Sequence, residues 1–200
     1  MEKLNSRGPR RISWYHKTMP KRTYQDPLVY EYMQSMKSFL ATTRFNNQTW
    51  AENQHFLRCH IAPNEPKIQC LYPCSVIIAE RLPIDASIFV LEMNNEMNQI
   101  EGIGLIRHRP PSCRKYQVYT QNKYNEYSYQ GAHHICRSTM NETEMDIIKK
   151  LDHFCFKGKR HQKRMNGIKL FPPDILYEHK ISSDQDILLE IAKMFKKRFL

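Results

Sequence analysis

Histidine and glutamate are the residues whose types and spacing could support acid–base chemistry in this chain. His133 and His134 are adjacent, and in a strand they would point to opposite faces, so the pair cannot serve one site. His161 lies within a run of cations, whose charges disfavour its protonation. Glu92 and Glu96 flank a turn, but no partner base or metal-binding set accompanies them. Glycine-rich phosphate cradles, nucleophile elbows and zinc-protease helices are also missing, so the sequence favours a protein that is not an enzyme.

A group of cysteines could bind a metal. Cys70 and Cys74 have the C-x3-C spacing found in structural zinc sites, and Cys59 and His60 lie upstream of them. A second ligand pair is missing, because the remaining cysteines are scattered along the chain. The favoured interpretation is that the cysteines are reduced thiols and that the protein has no cofactor. Zinc bound by these four residues is the alternative.

Residues 157–164, here called the basic segment, form a cluster of positive charge. Its five cations and one histidine have no carboxylate among them, and they follow an apolar helical pattern. Such a density of charge at the end of an ordered element is typical of a surface that binds phosphate. The predicted nucleic-acid contacts are Lys157, Lys159, Arg160, His161, Lys163 and Arg164.

A tyrosine-rich stretch precedes the basic segment and contains Arg114, Lys115 and Lys123. Aromatic rings beside cations are the components of a base-stacking platform with phosphate contacts. An ordinary half-buried hairpin has the same composition, because tyrosine is a good strand former. Tyr127 and Tyr129 would share one face of a strand, and they are the predicted stacking residues.

The overall charge also favours a polyanion as partner. The chain has 31 Lys and Arg against 20 Asp and Glu, which gives a net charge of +11. Residues 1–25 carry seven of these cations, are predicted to be a flexible basic arm, and include Arg10 and Arg11 as further predicted contacts. We expect no transmembrane segment and no secretory signal, because no apolar run reaches about 18 residues and the N-terminus is polar.

The elements that must position these groups form a predicted α+β chain. Asp26 and Pro27 begin a helix whose apolar stripe continues to about Thr43, and Asn141 begins the helix that precedes the basic segment. Between them, about five short strands are predicted at 75–80, 87–93, 100–107, 116–120 and 126–135, and the second and third form a hairpin at Asn94-Asn95. They favour a small curled antiparallel sheet or a barrel, flanked by helices at both ends. Residues 26–200 are predicted to be a single domain, divided into helices in 26–60, a β core in 67–137 and a helical part in 141–200.

Three stretches resemble short uncharacterised proteins of nucleocytoplasmic large DNA viruses: 89–106, 123–131 and 156–167. The resemblance covers roughly residues 70–180, and that family has no activity to transfer. The family often has Lys-Arg-Gly-Gln-Gly where this chain has Lys-Arg-Met-Asn-Gly at 163–167. Because of this difference, we do not predict a glycine-dependent turn there.

The pattern of a strand, a polar turn and Ile-x-Gly-Ile-Gly is similar to PUA-like barrels of the ASCH and EVE types. This resemblance implies a barrel with a nucleotide-sized pocket beside Gly102 and Gly104. Glu92 and Asn94 would border that pocket.

The function expected from the sequence is nucleic-acid binding by a non-enzymatic protein of a large DNA virus. Two alternatives remain open, a structural virion protein of the minor capsid or core and a PUA-like RNA reader or processing factor. The expected location is an infected host cell or the virion. The sequence does not distinguish DNA, RNA and an anionic phospholipid surface as the polyanion, and it does not indicate an oligomeric state.

Overall fold

The structure, a computed structural model, describes residues 26–65, 67–78, 82–111, 116–164 and 166–199. The predicted basic arm with Arg10 and Arg11 lies outside these ranges, as do Arg114 and Lys115. Within the described part of the chain, five helices surround a mixed five-stranded sheet and a separate two-stranded ribbon. This confirms the predicted α+β class.

The helices are α1 (Pro27–Ser35), α2 (Asn47–Phe56), α3 (Glu142–Phe156), α4 (Pro173–Ser183) and α5 (Ile187–Phe199). The strands are β1 (Ser38–Phe45), β2 (Cys70–Cys74), β3 (Ser87–Asn94), β4 (Gln99–Arg107), β5 (Tyr127–Gly131), β6 (His133–Cys136) and β7 (Lys169–Leu170). A π-helical turn at Leu57–Ile61 follows α2 directly.

The main sheet has the strand order β6-β4-β3-β1-β7 and does not close into a barrel. β1 and β3 are parallel, which is compatible with the long connection between them, and the other neighbours in the sheet are antiparallel. β5 leaves the sheet and pairs with β2 instead. The predicted barrel is therefore wrong, because the strand that would extend the sheet forms the ribbon on its face.

β1 occupies a region that the sequence predicted as helix. Helix α1 ends at Ser35, and the apolar residues that follow form a strand instead. Leu40 packs in one hydrophobic core, whereas Phe39 and Ala41 pack in the other. A strand buried on both faces gives a continuous apolar run, which periodicity alone cannot distinguish from a helix.

Further differences from the prediction concern short segments. No strand covers the described part of 75–80, because the strand at this position, β2, ends at Cys74. Residues 116–120 form a loop rather than a strand, and the predicted helical C-terminal part contains the short strand β7. The predicted start of α3 is confirmed: Asn141 Oδ1 accepts from the Glu144 backbone N–H at 3.0 Å, and Glu144 Oε2 accepts from the Asn141 N–H at 3.0 Å.

The sheet separates two hydrophobic cores. Helices α3, α4 and α5 cover one face, where Leu91 and Ile103 are buried. The β2–β5 ribbon and α2 cover the other face, where Val90 and Ile106 are buried. In the described ranges, no helix has both the length and the apolar character needed to cross a bilayer.

Candidate nucleic-acid interface

The basic segment leaves α3 through a sharp turn. Lys157 caps the helix in an extended conformation, and Gly158 follows with a φ of +74°, a value that glycine adopts without strain. The side chains of Lys157, Lys159 and Arg164 are exposed and have no hydrogen-bonding or ionic partner among the described residues. These three cations are available to an external anion.

Arg160 and His161 contact other residues of the protein. The Arg160 guanidinium pairs with two carboxylates of α4, Asp174 and Glu178. His161 is half-buried, and its Nδ1 accepts a hydrogen bond from the Lys163 backbone N–H at 3.3 Å. The prediction that all five cations are uncompensated is therefore wrong for Arg160, because α4 brings acidic residues from later in the chain beside it.

Lys163 lies in the wall of a cavity of about 270 Å³, here called the Arg44 pocket. The cavity is bounded by the ends of β1 and β2, the first turns of α2, the loop 117–125, and the residues Lys163, Asn166 and Gly167. The residues that matter for its chemistry are Arg44, Glu52, Asn95, Tyr124 and Lys163.

Arg44 connects the sheet to the chain that follows the basic segment. Its guanidinium donates to the Gln162 carbonyl (2.7 Å), the Gly167 carbonyl (3.1 Å) and Thr42 Oγ1 (2.7 Å). All three acceptors are neutral, and no carboxylate among the described residues pairs with this arginine. Burial lowers the pKa of Arg44 to about 10, so the side chain keeps its charge at neutral pH. The pocket therefore contains a partly buried arginine without a direct ionic partner, while Glu52 in its wall accepts hydrogen bonds from Thr120 and Gln48.

Asn95 has the one buried side-chain oxygen or nitrogen in the described ranges that lacks a hydrogen-bond partner, its Oδ1. The side-chain Nδ2 donates to the Lys163 carbonyl at 3.2 Å, and the backbone N–H donates to the Phe45 carbonyl at 2.8 Å. An unsatisfied buried acceptor costs about 1–3 kcal/mol unless a ligand or water supplies a donor. Asn95 Oδ1 is thus a buried, unsatisfied acceptor that belongs to a residue lining the Arg44 pocket.

Asn125 shapes the loop 117–125 on the opposite side of the pocket. Its buried side chain accepts from the backbone N–H groups of Val118 (3.1 Å) and Tyr119 (3.0 Å) and donates to the Tyr119 carbonyl (2.7 Å). This loop places the half-buried Tyr124 in the pocket wall, with Lys123 Nζ 5.0 Å from its ring centroid. Lys123, a predicted contact, therefore lies close to the pocket that Lys163 also lines.

Tyr127 and Tyr129 share one face of β5, as predicted, but that face is turned towards the core beneath the ribbon. Tyr129 is buried, and its hydroxyl accepts a hydrogen bond from the Ile78 backbone N–H at 2.9 Å. Tyr127 is half-buried against the same core. Burial leaves the Tyr129 ring no face for a base, so the tyrosine that the structure offers to a ligand is Tyr124.

The predicted pocket beside Gly102 and Gly104 is filled by side chains, here called the Glu92 cluster. The Tyr72 hydroxyl donates to Glu92 Oε1 at 2.8 Å, and His134 Nε2 lies 2.8 Å from Glu92 Oε2. Glu92 is 2% exposed, so both of its oxygens are satisfied within the fold. The PUA-like pocket is therefore a wrong prediction at this place; Asn94, its other proposed border residue, hydrogen-bonds Asn47 and Glu101.

Both glycines are required by this packing. A Cβ at position 102 would lie 2.6 Å from Glu92 Oε2 and 2.7 Å from His134 Nε2, and a Cβ at 104 would clash with the Tyr72 hydroxyl.

The charge of Glu92 affects the protonation of His134. Burial lowers the pKa of His134, but the charge of Glu92 and its hydrogen bond raise it more, so the net pKa is above its ordinary value. The cluster is a self-contained buried ion pair.

The alternative zinc ligands are not assembled. Cys59 and His60 are exposed on the turn after α2, whereas Cys70 and Cys74 are buried in β2 as free thiols. Burial raises the pKa of Cys70 to about 12 and that of Cys74 to about 11, which opposes thiolate formation. In the described parts of the chain, no three His, Cys, Asp or Glu residues are grouped as a metal site would require.

Sequence reasoning missed Arg44, Asn95 and Glu52. A signal for Arg44 was present, because a lone cation inside the apolar run 39–45 must find acceptors if that run is buried. Asn95 and Glu52 had no such signal, since turns and helix surfaces commonly carry these residue types.

In comparisons with known proteins, no family model, no curated protein and no solved structure matches this chain. Its chemistry is therefore inferred from its own residues.

Proposed function

We propose that this protein binds nucleic acid, with the exposed cations of the basic segment contacting phosphates beside the Arg44 pocket. The supporting observation is a group of three cations without an ionic partner among the described residues: Arg44 and Lys163 line one cavity, and Arg164 follows Lys163 in the chain. Fixed cations without acidic partners attract polyanions, and release of counterions from the nucleic acid provides the free energy of binding.

The pairing of Arg160 restricts the proposed contact surface. Lys157, Lys159, Lys163 and Arg164 remain as phosphate contacts, and Lys123 adds a cation from the loop 117–125. Arg160 instead holds the segment against α4. The viral setting and the virion role stay predictions from the sequence.

A salt titration tests this proposal. The affinity for a labelled oligonucleotide should fall steeply with salt, with a log–log slope of about −0.9 per phosphate neutralised on duplex and about −0.7 on single strands. Binding measured by fluorescence anisotropy gives the slope directly. A slope near zero, or no binding at low salt, would contradict the proposal.

A matched pair of double variants locates the interface. Lys157→Gln with Lys159→Gln should reduce the salt slope on a single strand by about 0.7 for each phosphate that these lysines no longer neutralise. Lys196→Gln with Lys197→Gln removes the same charge from the exposed end of α5 and serves as the control. An equal decrease in slope for both pairs would show that net charge alone, rather than the basic segment, determines binding.

A further inference from the structure

We infer that the Arg44 pocket holds one unpaired nucleotide whose base carries an exocyclic amino group, with the nucleotide's phosphate at Arg44 and Lys163. This inference rests on the proposed function and specifies which part of the polyanion enters the fold. It comes from the hydrogen-bonding groups of the pocket that the protein itself leaves unused.

The size of the cavity favours a single nucleotide. A volume of about 270 Å³ is slightly below the range of about 300–1,000 Å³ typical of ligand pockets. A base within a duplex is stacked on both faces and paired along its edge, so a base must be unpaired to enter a side-chain pocket. Single-stranded nucleic acid is therefore the class of ligand that fits.

The cationic side of the pocket matches a phosphate. A guanidinium has five N–H donors, and Arg44 donates three hydrogen bonds to protein acceptors, which leaves two donors for a ligand. The planar arrangement of these donors suits the oxygens of a phosphate. The Lys163 carbonyl accepts a hydrogen bond from Asn95 Nδ2, which fixes the backbone there. The Lys163 ammonium lies 5.8 Å from the Phe156 ring centroid and has no acidic partner among the described residues.

Two other residues of the pocket require a hydrogen-bond donor from the ligand. They are Asn95, through Oδ1, and Glu52, through its carboxylate. Glu52 Oε1 accepts from the Thr120 hydroxyl (2.5 Å) and the Gln48 amide (3.1 Å), but a carboxylate offers about four lone-pair positions and has capacity for another donor. Burial raises the pKa of Glu52, and the hydrogen bonds from Thr120 and Gln48 lower it by more, so the group is ionised at neutral pH.

Acceptors in a pocket select a base that donates. Adenine and cytosine carry an amino group where uracil and thymine present a carbonyl oxygen, and guanine, which has a carbonyl oxygen at C6, carries its amino group at C2. A carboxylate facing that carbonyl would be repelled, and Asn95 Oδ1 would stay unpaired. Tyr124 supplies an aromatic face that stacks on any base and adds affinity without selecting among them.

Oligonucleotides with one variable base test this selection. Short single strands of uridine or thymidine, each with its central base replaced by A, C or G, would be titrated by fluorescence anisotropy. We expect the three replaced strands to bind about tenfold more tightly, the effect of one good contact to a base edge. Equal affinity for all central bases would overturn the inference while leaving the proposed function intact.

Glu52→Gln separates base selection from charge. The substitution removes a negative charge, so every strand should bind equally or more tightly, yet the preference for an amino base should decrease, because a glutamine amide can donate to a carbonyl oxygen as well as accept from an amino group. Glu31→Gln makes the same change of charge on the exposed surface of α1 and should leave the preference unchanged. An undiminished preference in Glu52→Gln would contradict the assignment. Thermal unfolding of both variants verifies that the loop contact with Thr120 is retained.

Free mononucleotides provide a readout that does not depend on the basic segment. The side-chain amide resonances of Asn95 should shift on titration with AMP, CMP or GMP, and much less with UMP. If no oligonucleotide binds at low salt, the proposed function fails and this titration alone decides the inference. Inorganic phosphate that produces the same shifts would show that the pocket takes an anion without reading a base.

Discussion

The Glu92 cluster and the Arg44 pocket are two polar sites on one sheet, and they differ in whether the fold satisfies them. In the Glu92 cluster, Tyr72 and His134 occupy both carboxylate oxygens, and the site is closed. In the Arg44 pocket, a guanidinium has no carboxylate partner and Asn95 Oδ1 has no donor. Buried polar groups are normally paired, so a closed set stabilises the fold, whereas an open set leaves groups to which the proposed ligand could bind.

The largest expected effect comes from Gly104→Ala, which would destroy the closed site. A Cβ at this position clashes with the Tyr72 hydroxyl and would lie 2.7 Å from Cys70 Sγ, so the ribbon cannot stay in place above β4. We expect a loss of about 3 kcal/mol or more in the free energy of unfolding, measured by urea denaturation. Gly158→Asn is the control, because nothing lies within 4 Å there and Asn tolerates positive φ. A small effect at Gly104 would show that the ribbon moves freely.

Tyr72→Phe should cost less, since it removes a single hydrogen bond from the closed site. Glu92 Oε1 would then be buried without a donor, at a cost of about 1–3 kcal/mol in the free energy of unfolding. Tyr124→Phe removes a hydroxyl without a hydrogen-bonding partner among the described residues and should leave the stability nearly unchanged. Similar decreases in stability for the two substitutions would remove the proposed distinction between the sites.

The Glu92–His134 pair should make stability depend on pH. Because the pKa of His134 is raised in the folded state, its contribution is complete below the unfolded value of about 6.5 and is lost as the pH rises through the folded value. Urea denaturation of the wild type and of Glu92→Gln across this range measures the contribution. The variant should lose this pH dependence or reverse its sign, because burial without the Glu92 charge lowers the pKa of His134; parallel profiles would contradict the assignment.

Asn95→Ala should have the smallest effect, because it removes an unsatisfied oxygen together with one hydrogen bond to the Lys163 carbonyl. The two contributions oppose each other, and we expect a change in unfolding free energy below about 1 kcal/mol. The same substitution should weaken the preference for an amino base in the oligonucleotide titrations. A large loss of stability would mean that Asn95 is part of the scaffold rather than an open acceptor.

How much the sequence could predict depended on how far apart in the sequence the interacting residues lie. The capping box at Asn141 and the hairpin of β3 and β4 are local, and the sequence predicted both. The Glu92 cluster requires β2 to cross above β4, which no local pattern indicates. The Arg44 pocket depends on Gln162 and Gly167 returning to β1, where Arg44 binds their carbonyls across 118 and 123 positions of the sequence.

The amino-acid sequence by itself determined the α+β class, the excess of cations and the start of the helix that precedes the basic segment. These properties depend on composition and on neighbouring residues, so they can be read along the chain. The tertiary structure alone decided which charges are neutralised, because α4 brings two carboxylates to Arg160 and brings none to Arg44. A charge binds an external ligand only when the fold supplies no internal partner, and that depends on residues distant in sequence.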